Sequence, residues 1–382
     1  MAARAASAWC CPTTPRPEIA LSSLSGETQS KSLISTGSAK TDGLSFALSG
    51  DVALPSSRTL SGQVVLIDRF GTNVLTWLDP GSGAVLGQLA VGTGFESNPS
   101  DYLELGDGTA VVSRFGSNAK AGSEAFDEGG DLLHLDLSQR VLLGNLVFES
   151  TEGLPPRPSS ITRVADWALV SLTRVSFDFA TTGDSELAGV KLPSLELAFR
   201  MRYQGLKNCG RPALSPSGKL LAVACTGTLD IHGVVANLDE SALLLFDPSS
   251  MPPREIRRFA ASELAQEPIQ SGLVFAQESV LLFKTQTADN GVASNRWLSL
   301  DLDSASVTSL LEASPDAQGK GRGLLYGAMS CSPGCSELCL LADADRSALQ
   351  RVRFDADKRP ELLEPINVDA QSGLPPRDLI ER

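Results

Sequence analysis

Four arginines, Arg157, Arg211, Arg322 and Arg377, stand at corresponding places in a long repeat, each just ahead of an apolar run. A guanidinium is a rigid planar fork of donors that can hold a carboxylate or a phosphate through two parallel hydrogen bonds. Arg69, Arg114 and Arg174 close apolar runs further along their own repeats. Brought to one mouth, these side chains would form an anion-binding ring for an acidic glycan or a peptide carboxylate. The alternative is local: the same arginines pair with loop acids such as Glu124, Asp127, Asp184 and Glu267 and tie one repeat to the next. Two further copies of the landmark hold Asn98 and Glu267, an amide and a carboxylate of the kind a hydrolytic metal centre would use.

The cysteines carry a second kind of chemistry. Cys209 and Cys225 are placed symmetrically about a Ser-Pro-Ser-Gly turn, and Cys331 and Cys339 about Ser-Pro-Gly with Cys335 at the tip. Symmetry about a hairpin turn sets two residues opposite each other on antiparallel strands, within disulfide reach. Two bridges, Cys209–Cys225 and Cys331–Cys339, are therefore expected, against the alternatives of free thiols or a cysteine-held zinc. Bridged hairpins place the protein in an oxidising, extracytoplasmic compartment: periplasm, outer membrane or cell surface.

Composition excludes several classes. The 382 residues carry a net charge of −13, with no basic stripe to displace counterions from nucleic acid. Only His134 and His232 are histidines, which disfavours zinc hydrolases, facial-triad iron enzymes and Ser-His hydrolases. The sequence has no Walker loop, nucleophile elbow, HExxH or sialidase-type aspartate box, and no apolar run long enough to cross a membrane as a helix. Acid pairs such as Asp301 with Asp303, Asp343 with Asp345 and Asp355 with Asp357 lack the glycine and distal glutamate of a calcium loop. No cofactor is expected, with calcium as the alternative.

The elements that must position these residues are strands. Apolar runs ending in an acid recur at Asp79, Asp136, Asp247, Asp301 and Asp355, with Lys191 in the same place in a weaker copy. Their spacing of about 55 residues is that of one four-stranded propeller blade with its loops. The strand-end aspartates read as turn formers that bond their own backbone two residues on. Trp77 and Trp297 take matching third-strand places, with His134 at the neighbouring one in its copy, and read as packing between blades rather than a cofactor platform.

Residues 1–60, rich in Ser, Thr, Gly and Ala, read as a largely disordered leader, with residues 61–382 as the propeller. The small residues before Cys10 and Cys11 resemble the end of a lipoprotein signal, though no apolar stretch precedes them. The first unit, 63 to 91, lacks a first strand, and the last strand, 377 to 382, lacks successors. Pairing the two closes six blades; if residues 15 to 60 add strands, there are seven.

VLTWLDPGSGAVLGQLAVG and NPSDYLELGDGTAVVSRFGSN, residues 74 to 92 and 98 to 118, are similar to the YVTN-type, lactonase-like bacterial β-propeller repeat, as is SPSGKLLAVA at 215 to 224. The resemblance implies a β-propeller and admits lactonases, surface proteins and scaffolds alike. In such a fold the connections from second to third strand and from fourth to next first strand share one face. The longest of them, 116 to 130, 175 to 185 and 226 to 240, enlarge that face here. The sequence reading is thus an exported, monomeric, non-enzymatic propeller that binds a protein or an anionic glycan or peptide on this face. The alternative is a metal-dependent, lactonase-like hydrolase using Asn98 and Glu267.

Overall fold

A computed structural model of the chain describes residues 7–12, 18–25, 28–35, 43–49, 51–228, 237–289, 292–312, 327–332, 338–343, 346–367 and 378–381. The chain is all-β. Six four-stranded antiparallel sheets follow one another between Val52 and Asn367, each a simple meander of strands a, b, c and d. They are the blades of a β-propeller, the six expected. In the first blade the strands are Val52–Ala53, Val64–Asp68, Val74–Leu78 and Val85–Ala90.

A further four-stranded sheet uses both ends of the chain. Ser7–Pro12, Glu18–Ser25 and Thr28–Ser35 form a meander, and Asp378–Glu381 pairs antiparallel with the first of them, Ser7 opposite Glu381 and Cys10 opposite Asp378. Tail does complete head, but on residues 7–35 rather than on 63 to 91. The first blade already owns an a strand, only two residues long and too short to read from sequence. The expectation of a largely disordered leader over 1–60 is corrected with it. Leu44, Leu48, Val52 and Leu54 are buried against Val64, Leu66, Val74 and Leu78.

The b and c strands are apolar without alternation because both their faces are covered. Val64–Asp68, Val74–Leu78 and Leu221–Cys225 are buried along their whole length. The d strands, at the free sheet edge, are half-exposed, as in Val85–Ala90 and Val141–Val147. The core therefore lies between successive sheets. Trp77 packs with Tyr102, Val112 and Leu133 of the next blade, and Trp297 with Leu341, Val352 and Phe354 of its own neighbour.

The strand-end aspartates cap turns, as their sequence context predicts. Asp79 Oδ1 accepts the Gly81 and Ser82 amides, Asp136 Oδ1 the Gln139 amide and Asp355 Oδ1 the Arg359 amide. Asp301 accepts the Asp303 amide and is paired with the Lys358 ammonium, which also reaches Asp303.

The chain divides into two compact units, Met1–Gly183 with Ala188–Phe199 and Asp378–Arg382, and Asp184–Leu187 with Arg200–Arg377. No helix among the described residues is long and apolar enough to cross a membrane.

Candidate functional site: the loop face of the first unit

In an antiparallel meander the b–c and d–a connections leave from the same end of the sheet. In the first unit these are 69–73, 118–128 and 173–183, with 91–98 and 148–157. They touch one another. The Gly71 amide donates to Glu96, the Thr93 hydroxyl to the Phe126 carbonyl at 2.9 Å, and Arg157 Nη1 to the Phe115 carbonyl at 3.3 Å.

Arg157 joins two of these loops. It sits at the start of an a strand with φ 53°, left-handed backbone that an arginine adopts only at a cost of about 1 kcal/mol or more. The turn aims its side chain beneath the 173–183 loop, where it is only 5% exposed. Nε donates to the Val175 carbonyl at 3.1 Å and Nη2 to the Ser176 carbonyl at 3.1 Å. Three rings surround the guanidinium, with centroids 5.2 Å (Phe115), 5.4 Å (Phe177) and 5.1 Å (Phe179) away. Burial pushes its proton affinity below the ordinary guanidinium value. Its charge is met by carbonyl dipoles and π faces, with no carboxylate partner among the described residues.

The rings are held outward by a small braced hairpin. Val175 bridges Thr182, the Ser176 amide donates to the Thr181 carbonyl, and Asp178 accepts the Ser176 hydroxyl at 2.6 Å and the Ala180 amide at 3.1 Å. Phe179 stacks parallel on Phe115, 6.4 Å between centroids. Their neighbour Phe177 is 54% exposed and Phe179 62%, despite their size. On the same face Phe70 is also exposed.

The other arginines read as a ring turn inward. Arg114 is fully buried, forked onto the equally buried Asp131 through Nε (2.7 Å) and Nη2 (2.5 Å). Its remaining donors go to Val91 and Phe126 carbonyls and the Thr93 hydroxyl. Arg174 is buried with Nη1 on the Glu149 carbonyl at 2.8 Å, and Arg69 is paired with Asp51. Each of these three makes contacts within the protein, Arg114 and Arg174 buried and Arg69 half-buried. Arg211 lies in the second unit and is half-buried. The landmark slips there by three residues. The carbonyls of Asn98 and Arg157 accept a b-strand amide, from Phe115 and Thr173, and in the next copy Asn208 does so, from Thr226, at the same left-handed backbone angle. Arg322 and Arg377 lie outside the described residues.

Once the arginines are inside, the outward charge is acidic. In these five loops the exposed ionisable side chains are Glu96, Glu124, Glu128, Glu149, Glu152 and Asp178 against one base, Lys120. Asp127 is buried and takes the Gly122, Ser123 and Glu124 amides, which hold its carboxyl below the usual range.

The pair proposed for a metal is differently placed. Asn98 belongs to the first unit, where its amide N–H donates to Asn73 Oδ1 at 2.9 Å. Glu267 belongs to the second, and one carboxylate oxygen takes the Thr285 hydroxyl at 2.6 Å and Arg296 Nη2 at 2.7 Å. An arginine on that oxygen competes with any metal ion. Among the described residues no group of three His, Cys, Asp or Glu is placed to hold one. Both disulfides are formed, Cys209–Cys225 and Cys331–Cys339, both in the second unit. Cys335 lies outside the described residues.

Sequence reading missed the aromatic cluster. Its signal was the Phe-Asp-Phe at 177 to 179, two large apolar residues inside a loop already marked as enlarged.

No protein family and no curated protein matches the sequence. Solved structures do. A periplasmic gluconolactonase from Pseudomonas aeruginosa matches over 99% of this chain and 98% of its own, with 13% identity and a TM-score of 0.59. A candidate 6-phosphogluconolactonase from Bacteroides fragilis matches over the same shares at 12% identity and 0.59. Hydrazine synthase from Kuenenia stuttgartiensis matches over 87% of this chain and 89% of its own, at 13% and 0.58. A lactone hydrolase and a hydrazine synthase on one scaffold show what the likeness carries, which is the propeller fold.

Proposed function

We propose that the protein is an exported binding propeller whose first unit presents its loop face to a protein partner. The observation that carries this is the pair Phe177 and Phe179, held into solvent on a braced hairpin above a buried guanidinium. Large aromatics on a preorganised support form the centre of many protein interfaces, because they bury area with little loss of freedom. The two disulfides support an oxidising location outside the cytoplasm.

Panning a random peptide library against the wild type and against Phe177→Ser/Phe179→Ser tests the reading. Sequences enriched on the wild type and lost on the variant are expected; the same enrichment on both proteins would overturn it. The variant should fold, since both rings are exposed.

A second reading, a lactonase, draws on the gluconolactonase descriptions of the structural neighbours. It requires a metal ion to take Glu267 from Arg296. Gluconolactone hydrolysis that is abolished in Glu267→Gln, together with stoichiometric metal in the purified wild type, would establish it over the binding reading.

A further inference from the structure

We infer that the partner segment is cationic and apolar: a stretch of polypeptide with lysine or arginine set among apolar side chains. This rests on the docking reading above and names its chemistry. The face carries two exposed rings, Phe177 and Phe179, and the exposed ionisable groups of its five loops are Glu96, Glu124, Glu128, Glu149, Glu152 and Asp178 with Lys120. Exposed rings give an interface its buried apolar contact, and the sign of the charges around them selects the partner and steers its approach.

The guanidinia decide against an anion. Arg114 is neutralised by Asp131, and Arg157 and Arg174 donate to backbone carbonyls within the loops. Arg157 in addition lies against the inner faces of the two rings. A carboxylate or phosphate arriving from solvent would meet the loop acids before it met any of these donors. Arg157 also tunes the rings. A cation on the inner face draws electron density inward, so the outer face prefers an apolar or π surface while the partner's own cations go to the loop acids.

The test uses three short labelled peptides, one alternating lysine and leucine, one glutamate and leucine, one lysine and serine, with binding read by fluorescence anisotropy. The lysine–leucine peptide should bind most tightly, weaken as salt is raised, and lose about tenfold or more in affinity on Phe177→Ser/Phe179→Ser. Glu124→Gln/Glu149→Gln should weaken the same peptide while leaving the rings in place. Tighter, ring-dependent binding of the glutamate–leucine peptide would overturn the charge assignment and leave the docking reading standing. Equal binding of the lysine peptides to wild type and Phe variant would reduce the effect to adsorption on an acidic chain and overturn both.

Discussion

The two units meet one structural demand in two ways. In every blade the loop end of the a and b strands must be tied down, because there the ladder stops and the chain turns away. In the first unit the tie is an arginine donating to carbonyls, as Arg157 does to Val175, Phe115 and Ser176, and Arg174 to Glu149. In the second unit's first blade it is covalent: Cys209 is bridged to Cys225, opposite it at the same end of the a and b strands. A guanidinium can in addition lie against flat, electron-rich rings, as Arg157 does against Phe115, Phe177 and Phe179, the last two exposed. A disulfide needs no such surroundings. Among the described residues of the second unit the exposed large apolar side chains, Ile256 and Leu362, stand on d strands and not on loops. The difference teaches that the exposed rings of the first unit go with the way its loops are braced.

Removing half of the first unit's buried pair should have the largest effect. Asp131→Ala leaves the Arg114 charge buried without its carboxylate and should cost about 3–5 kcal/mol, measured by denaturant unfolding. Replacing both, Arg114→Met with Asp131→Leu, should recover most of that loss, since an apolar pair of similar volume has no charge to compensate. Equal losses in both variants would show that the pair matters for shape alone. Asn145 Nδ2, 2.8 Å from Asp131, is the group to watch in the double variant, because it too loses an acceptor.

The second unit should respond instead to reduction. Cys209→Ser/Cys225→Ser opens a loop of sequence separation 16 and should cost about 3 kcal/mol by chain-entropy reasoning. Hydrogen exchange should place the loosening in residues 200 to 260 and leave the 173–183 hairpin protected. Loosening of the phenylalanine hairpin to the same degree would break the distinction between the units. Peptide mapping without reduction checks the premise, since both bridges should appear intact.

The fold was open to reading because it rests on repetition: strand-end aspartates every blade, and cysteines symmetric about a turn, are local patterns that survive translation into structure. Asp79, Asp136 and Asp355 cap turns as their sequence context predicts. What could not be read was direction. Arg114 and Arg157 each keep their own motif position whether they point to solvent or inward, and only the carboxylate of Asp131 and the carbonyls of 175 and 176 decide it. The a strand Val52–Ala53 was hidden by its brevity, and the slip from Arg211 to Asn208 by a difference of three residues in loop length. The choice between an anion-binding ring and local pairing stayed open in the sequence for the same reason, since counting arginines along the chain does not reveal which are engaged within the protein.

The smallest effects separate the units by the sign of their pH dependence, through two acids that both accept hydrogen bonds from serine. In the first unit Asp101 is buried and takes the Ser56 hydroxyl and the amides of Ser56, Ile161 and Tyr102. Burial outweighs those donors and raises its carboxyl above the usual range. In the second, Glu278 takes the Ser215 and Ser217 hydroxyls and the Ser217 amide. Slight burial pushes it up, but the serine donors and nearby Lys219 together bring it below the usual range. A raised acid adds stability that is complete below its unfolded value and is lost as pH rises through the folded one; a lowered acid adds stability that is present above its unfolded value and is lost as pH falls through the folded one. Asp101→Asn should therefore flatten a decline in Tm as pH rises from the ordinary carboxylate range toward neutrality. Glu278→Gln should flatten a decline on the acid side of that range. Each change should be about 2 °C or less in Tm, readable as a difference profile against wild type across pH. Difference profiles of the same sign would mean that the serine bonds, rather than burial, govern both acids, and that the first unit's interior is wetter at Asp101 than its packing shows.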